Sequence, residues 1–116
     1  MRAAARRGHD IWICLQPGLR WRDGKVTAHC RLLELSDDNK HWYTVREDGD
    51  HALDEFDAVL MRKDPPFDAE YLYSTHLLEA AERHGARGFN APRALRDHNE
   101  KLAITEFAEF TVPTLV

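Results

Sequence analysis

The sequence predicts an α/β domain, in which helices pack on a sheet that is at least partly parallel. Phe56–Met61 is a nearly continuous apolar run, typical of a strand that is covered on both faces in a parallel sheet. Ala69–His84 then repeats apolar residues at helical spacing, and Arg87–Asn90 has the composition of a brief second strand. Strand, helix, strand and helix with short connections indicate a layered α/β unit.

Length and composition limit the class of protein. The 116 residues fit one domain, with 43% hydrophobic and 31% charged residues, which argues against a disordered polar chain. The 20 acidic and 16 basic residues give a net charge of −4, which argues against nucleic-acid binding by bulk charge. No apolar run is long enough for a membrane span. The two cysteines form no C-x-x-C pair, so we expect a reducing, cytoplasmic location.

The first half predicts a helix followed by β structure. The opening residues are rich in alanine and arginine and end at Gly8, which favours a helix terminus over an Arg-rich transit peptide. Asp10–Leu15 is then a short buried strand. Leu19–Leu35 predicts a β-hairpin, because its Asp-Gly pair favours a tight turn. Trp42–Glu47 is a third short strand, and we expect Asp48-Gly49-Asp50 to close it as a turn.

The second half predicts helices around the parallel strand. Two prolines in the segment that follows Met61 end this strand. One face of the helix Ala69–His84 carries Tyr71, Leu72, Thr75, Leu78 and Ala81. Pro92 lies near the start of a further helical turn. Asp97-His98-Asn99-Glu100 resembles a capping box, so we expect a helix there with Ala103, Phe107 and Phe110 on one face. Thr111–Val116 would then begin another strand.

Three groups of residues are candidates for a site. His29, Cys30 and His41 have no standard zinc spacing, and neighbours along a strand point to opposite faces, so we assign no metal site. Arg62, Lys63 and Asp64 follow the buried strand, at the edge where open α/β sheets bind ligands, and two cations there suit a carboxylate or phosphate. The alternative is that the prolines only turn the chain and both cations are solvated.

Lys101 is the remaining candidate. It falls in the first turn or two of the predicted helix, where free N–H groups and the helix dipole favour phosphate. The alternative is a solvated lysine paired with an acid such as Glu100. Common nucleotide-binding, nucleophile-elbow and zinc motifs are not found in the sequence. The residues by themselves therefore predict an anion-binding edge but name no reaction.

Two longer motifs resemble the prokaryotic glutathione synthetase family. They are MRKDPPFD, at residues 61–68, and NAPRALRDHNEKL, at residues 90–102. The upstream segments RRGHDIWIC and GKVTAHCRLLEL match more loosely but in the right order. This resemblance implies a Rossmann-like pre-ATP-grasp domain over residues 1–100, with a β-hairpin excursion and flanking helices. Residues 101–116 would be the first helix and linker into an ATP-grasp domain.

The family's chemistry is the joining of γ-glutamylcysteine to glycine. ATP phosphorylates the dipeptide's free carboxylate, the glycine amine attacks the acyl phosphate, and magnesium ions neutralise phosphate charge. The resemblance implies that Lys101 binds nucleotide and that Arg62, Lys63 and Asp64 lie at the substrate-facing edge. It implies no catalytic residue and no metal ligand in residues 1–116. It also implies a homo-oligomeric full enzyme that acts on small molecules.

The resemblance also implies that this chain is a truncated part of such an enzyme. The family's first strand would be missing, and Val116 would fall where the ATP-grasp domain begins. We therefore expect no ligase turnover and no tight binding of ATP or Mg²⁺ by residues 1–116 alone. We also expect marginal stability, or association through the exposed sheet edge. The alternatives are a stand-alone, non-catalytic α/β binding module and another ATP-grasp carboxylate–amine ligase.

Overall fold

The computed structural model describes residues 1–64, 66–99 and 101–115, and it confirms the α/β class. Its strands form two sheets, a three-stranded antiparallel sheet and a two-stranded parallel one. The helices and strands are α1 (Arg2–Ala5), β1 (Ile11–Arg22), β2 (Lys25–Leu35), β3 (Tyr43–Ala52), β4 (Val59–Leu60), α2 (Ala69–Arg83), β5 (Gly88–Phe89) and α3 (Pro92–Asp97). Two 3-10 helices span Leu53–Glu55 and Ala103–Phe110. No helix in the described ranges is long and apolar enough to cross a membrane.

The antiparallel sheet, which we call the meander, has the strand order β1-β2-β3. The predicted turn joins β1 to β2, with φ of 51° at Asp23 and 83° at Gly24. Positive φ at both central residues matches the right-handed twist of the flanking strands, which confirms the hairpin. The strand predicted to end at Leu15 and the hairpin arm predicted to begin at Leu19 are one strand, β1. Its register shifts between Cys14 and Leu19, a stretch that contains Pro17.

The turn predicted at Asp48-Gly49-Asp50 is wrong, because β3 continues through it to Ala52. These residues pair with Arg31, Cys30 and His29 of β2. Charged pairs across the strands stabilise the extended conformation here. Arg31 Nε lies 2.9 Å from an Asp48 carboxylate oxygen, and His29 Nδ1 lies 2.9 Å from one of Asp50.

The core lies between one face of the meander and α2. Its buried residues are Val26, Ala28, Cys30, Leu53, Ala81 and Ala86. The first three alternate along β2, as the sequence predicted, while His29 between them is exposed. Trp12 packs against this core, and its ring centroid lies 5.7 Å from that of Phe56. The meander therefore has one apolar face toward α2 and one charged face.

Helix α1 is tied to the loop between β2 and β3. Arg2 donates through Nε to the Ser36 carbonyl at 2.8 Å and through Nη2 to the Asp38 carbonyl at 3.2 Å. The predicted helix ending at Gly8 is confirmed as a shorter element, and Gly8 has a φ of 83°. Four helical residues cannot stabilise themselves, so these long-range hydrogen bonds hold α1 in place.

The predicted parallel strand is confirmed as β4, which pairs with β5 over two residues. Val59 packs against the core, but Leu60 is 60% exposed. The prediction that this strand is covered on both faces is therefore wrong at Leu60. Successive side chains point to opposite faces of a strand, and only the Val59 face is turned toward the core.

Helix α2 matches its prediction closely. The Asp68 carboxylate accepts a hydrogen bond from the Tyr71 backbone N–H at 2.8 Å, which caps the helix N-terminus. Gly85 follows the helix with a φ of 106°, a conformation that glycine adopts at low cost. Thr75 and Ala81 of the predicted face are fully or nearly buried. This helix therefore supports both sheets.

The predictions for the chain after α3 are largely wrong. Asp97 belongs to α3, so it does not cap a new helix, and Glu100 lies outside the described residues. A kinked 3-10 segment replaces the predicted helix, with Phe107 54% and Phe110 80% exposed rather than packed. Residues 111–115 form no strand, and Val116 lies outside the described residues. The expected apolar face has no buried counterpart in the described part of the chain, so packing does not impose the predicted helix.

Candidate functional site

The candidate site lies at the edge where the parallel strands β4 and β5 both end. Parallel strands bring their carboxyl ends to one edge, so Met61 after β4 and Asn90 after β5 become neighbours. Both line a cavity with Leu78 and Ala81 of α2. The cavity measures only about 10 Å³, which is room for about one water molecule, so it does not hold a substrate.

The structure places the three predicted edge residues directly after β4, as expected. Arg62, Lys63 and Asp64 are all exposed. Lys63 Nζ donates a hydrogen bond to the Asp64 backbone carbonyl at 2.8 Å. Within the described ranges, the Arg62 guanidinium has no hydrogen bond or ion pair. This arrangement can accept an anion from solvent, and the role of each residue stays a prediction.

Lys101 lies in a turn rather than in the first turn of an α-helix, which corrects its predicted setting. Its backbone N–H donates to Asn99 Oδ1 at 3.0 Å, and the Leu102 N–H approaches the same oxygen at 3.4 Å. The side chain that accepts the backbone N–H groups of this turn is therefore that of Asn99, not that of Asp97. Lys101 does not lie at the N-terminus of an α-helix, because the following segment is a kinked 3-10 helix, so an α-helix dipole gives no support for phosphate binding there.

An ion pair between α2 and α3 is the feature that sequence reasoning missed. Arg96 Nη2 donates to Glu79 Oε2 in a very short contact, and Nη1 donates to Thr75 Oγ1 at 3.2 Å. The side chains of Arg96 and Glu79 are only 16% and 32% exposed. The hydrogen bond from Arg96 lowers the pKa of Glu79. Spacing could have placed Arg96 on the packed face of α3, because it lies four residues after the buried Pro92, but it could not have identified Glu79 as the partner.

The charged face of the meander does not form a metal site. His29 lies between two carboxylates, with Nε2 2.5 Å from Asp48 Oδ1 and Nδ1 2.9 Å from Asp50 Oδ1. Cys30 is buried on the opposite face, as strand alternation predicted. Across the described parts of the chain, no group of three or more histidine, cysteine, aspartate or glutamate residues is placed to hold a metal ion. His29 therefore belongs to the ion pairs between strands.

The two cysteines are cross-strand neighbours on β1 and β2 and do not form a disulfide. Cys14 is opposite Cys30 in the register, and both are free thiols. Burial raises the pKa of Cys14, and burial followed by the neighbouring Cys14 raises the pKa of Cys30 to about 12. Both shifts disfavour the thiolate, which is the reactive form of cysteine.

Comparison with known proteins identifies the family of the chain. The family model described as the N-terminal domain of prokaryotic glutathione synthetase matches residues 1–96. A glutathione synthetase from Nitrosomonas europaea is 54% identical over the whole chain, and one from Ralstonia nicotianae is 53% identical. One from Neisseria meningitidis is 46% identical.

The matched region is a minority of each relative. The chain spans 37% of the length of the Nitrosomonas protein, 36% of the Ralstonia protein and 38% of the Neisseria protein, with all of the chain covered each time. Of the two motifs that carried the resemblance, the one at residues 61–68 falls wholly inside the family match. The one at residues 90–102 begins inside it and extends six residues beyond its end at residue 96. The chain therefore belongs to the family of the prokaryotic glutathione synthetase N-terminal domain.

Proposed function

We propose that this chain is the N-terminal part of an ATP-dependent ligase that joins γ-glutamylcysteine to glycine. The observation that carries the proposal is the family match over residues 1–96, supported by relatives of 46–54% identity that are named glutathione synthetase. In the proposed reaction ATP phosphorylates the free carboxylate of the dipeptide. The glycine amine then displaces phosphate to form the new amide bond, and ADP and phosphate are released.

Two parts of the described structure have proposed roles in binding anions. The Lys101 ammonium would contact nucleotide phosphate, and its backbone is held by Asn99. Arg62 and Lys63, with Asp64, would form the substrate-facing edge beyond β4, where exposed cations can meet a carboxylate or phosphate. Residues 1–100 would be the pre-ATP-grasp domain and residues 101–116 the start of the connection to an ATP-grasp domain.

The residues described here do not fit a magnesium site. Magnesium prefers oxygen ligands in octahedral geometry, and the described ranges hold no suitable group of three acidic or histidine side chains. We therefore propose no magnesium ligand within the described ranges, and the family resemblance implies no catalytic residue among residues 1–116. The proposed setting is cytoplasmic, with a homo-oligomeric complete enzyme that acts on small-molecule substrates.

The test is a ligase assay on the complete protein that contains residues 1–116. With ATP, Mg²⁺, γ-glutamylcysteine and glycine, we expect glutathione and ADP to form in equal amounts. No glutathione should form when glycine is left out. Lys101→Ala should raise the KM for ATP roughly tenfold, because a charge-assisted contact to phosphate is lost. A polypeptide of residues 1–116 alone should give no turnover.

Two controls separate the possible outcomes. Lys40→Ala removes an exposed lysine from the loop between β2 and β3, far along the chain from the candidate site, and should leave the KM for ATP unchanged. ATP consumption without glutathione, in the presence of both amino substrates, would contradict the proposed reaction. Glutathione synthesis with a normal KM for ATP in Lys101→Ala would contradict only the proposed role of Lys101.

A further inference from the structure

We propose that Arg96 is a positioning residue for nucleotide binding, because it clamps α3 to α2 through Glu79 and Thr75 and thereby fixes the turn that carries Lys101. This inference rests on the proposed nucleotide role of Lys101 and adds to it a residue that does not touch the ligand. Three observations carry it: the burial of the clamp, the phase of α3, and the hydrogen bonds of the turn after α3.

The clamp is built as a fixed contact rather than a solvated surface pair. The guanidinium uses two nitrogens on two α2 side chains, Nη2 on the Glu79 carboxylate and Nη1 on Thr75 Oγ1 at 3.2 Å. Thr75 is fully buried, and its hydroxyl in turn donates to the Leu72 carbonyl at 2.6 Å. A planar guanidinium held at both ends has little freedom, so it sets the distance and rotation between the helices.

The rotation of α3 about its axis explains why Arg96 hydrogen-bonds to α2 whereas Arg93 pairs within its own helix. Arg96 follows the buried Pro92 by four residues and therefore shares the face that packs on α2. Arg93, one residue after Pro92, is 79% exposed in its side chain and pairs along its own helix with Asp97 at 3.2 Å. Arg93 is thus a matched control, with the same charge on the same helix and, among the described residues, no hydrogen bond or ion pair to α2.

The turn after α3 transmits the position of the helix to Lys101. Helix α3 ends at Asp97, and two residues later Asn99 Oδ1 accepts from the backbone N–H groups of Lys101 and Leu102. The Lys101 backbone is therefore hydrogen-bonded to a residue whose position follows the end of α3. If α3 shifts on α2, the ammonium shifts with it, and a displacement of about 1 Å is enough to weaken binding to a phosphate severely.

The experiment measures the KM for ATP and the KM for γ-glutamylcysteine in the complete protein. We expect Arg96→Gln to raise the KM for ATP roughly tenfold and to change the KM for the dipeptide by less than about twofold. Arg93→Gln should leave both values within about twofold. A merely structural role of Arg96 would move both KM values together, so equal rises in the two would overturn the proposal.

A double-mutant cycle tests whether Arg96 acts through Lys101. In a Lys101→Ala background, adding Arg96→Gln should cause no further rise in the KM for ATP, because the group that Arg96 positions is already gone. Independent, multiplicative effects of the two substitutions would overturn the proposal.

Thr75→Val decides the matter if Arg96→Gln does not fold. Valine resembles threonine in shape but has no oxygen to accept from Arg96, so we expect a rise of about threefold in the KM for ATP. An unchanged value would overturn the proposal.

If Lys101→Ala itself has a normal KM for ATP, the nucleotide role of Lys101 fails first. If Lys101→Ala is impaired while Arg96→Gln and Thr75→Val are normal, only the positioning role fails.

Discussion

The meander and the parallel layer, which comprises β4, β5, α2 and α3, are stabilised in different ways. The meander has strands of 12, 11 and 10 residues in long antiparallel ladders, each with one register shift, whereas each parallel strand has two residues. Exposed ion pairs cross the strands of the meander, such as that between Arg31 and Asp48. The parallel layer instead depends on helix packing and on the poorly exposed pair of Arg96 and Glu79.

This difference indicates which region sets the geometry of the candidate site. Exposed pairs contribute little individually, so the meander tolerates the loss of any one of them. The parallel layer has few strand hydrogen bonds, so the relation between its helices depends on particular side chains. All proposed site residues lie in or directly after this second region. The meander therefore serves as a support, and the geometry of the site is set by α2 and α3.

The largest expected effect comes from the residue that joins the two regions. Leu53 is 2% exposed and belongs to the core shared by β2 and α2. Leu53→Ala should lower the free energy of unfolding by about 3 kcal/mol, because it leaves a cavity in that core. Urea unfolding of the 116-residue chain, followed by tryptophan fluorescence, measures it. Leu15→Ala, at a side chain 69% exposed, is the control and should cost below about 0.5 kcal/mol.

A loss of under about 1 kcal/mol for Leu53→Ala would show that the two regions do not share one core. The same experiment would then report two transitions rather than one, since the meander would unfold independently of the parallel layer.

We expect a smaller loss of stability, equal in the two regions, when one glycine in each region is replaced by alanine. Gly24 in the hairpin and Gly85 after α2 have φ of 83° and 106°, and an added Cβ would meet no atom within 4 Å at either. The cost of alanine is therefore conformational alone, about 1 kcal/mol at each site. Gly49→Ala is the control, because its Cβ would make only an ordinary contact 3.7 Å from His51. Urea midpoints that differ strongly between the two variants would contradict equal backbone costs.

The smallest effect concerns pH and compares one carboxylate in each region. The hydrogen bond from His29 lowers the pKa of Asp50, and that from Arg96 lowers the pKa of Glu79. A lowered folded-state pKa means that the stabilisation is present above the unfolded pKa of about 4 and is lost as the pH falls through the folded value. The stability difference between the parent chain and Asp50→Asn or Glu79→Gln should therefore shrink from pH 7 to pH 3.

Added salt should separate these two carboxylates. Arg20 and His29 beside Asp50 are 56% and 44% exposed, whereas Arg96 beside Glu79 is 16% exposed. At 1 M NaCl, where the screening length is about 3 Å, the contribution of Asp50 should fall more than that of Glu79. Equal salt sensitivity in urea unfolding at pH 7 would show that the clamp between α2 and α3 is as solvated as the meander surface.

Local signals in the sequence predicted the elements that local chemistry determines. The Asp23-Gly24 turn and the start of the second helix at Ala69 were predicted correctly, because each depends on backbone geometry within a few residues. The turn predicted at Asp48–Asp50 failed, because partners on β2 more than fifteen residues away hold the segment extended. The helix predicted after Asp97 failed for the converse reason, since its apolar face finds little to pack against in the described chain.

The candidate site was predictable in its residues but not in its support. The strand end at Arg62–Asp64 follows from a hydrophobic run broken by prolines, and the structure places these residues there. The predicted phosphate-binding role of Lys101 relied on an α-helix that does not form. That role now relies on the family resemblance, and a hydrogen bond to Asn99 holds the Lys101 backbone. The contact of Arg96 with Glu79 depends on how two helices cross, which no local pattern specifies.

The register shift in β1 bears on how the chain avoids aggregation. This strand forms an outer edge of the meander and exposes apolar side chains such as Leu15. An uninterrupted edge of twelve residues would template the addition of strands from other molecules. Pro17 has no N–H to offer, and the irregular pairing between Cys14 and Leu19 splits the edge into two short stretches. Pro17 and this irregularity therefore make β1 a poorer template for strand addition than an uninterrupted strand of the same length.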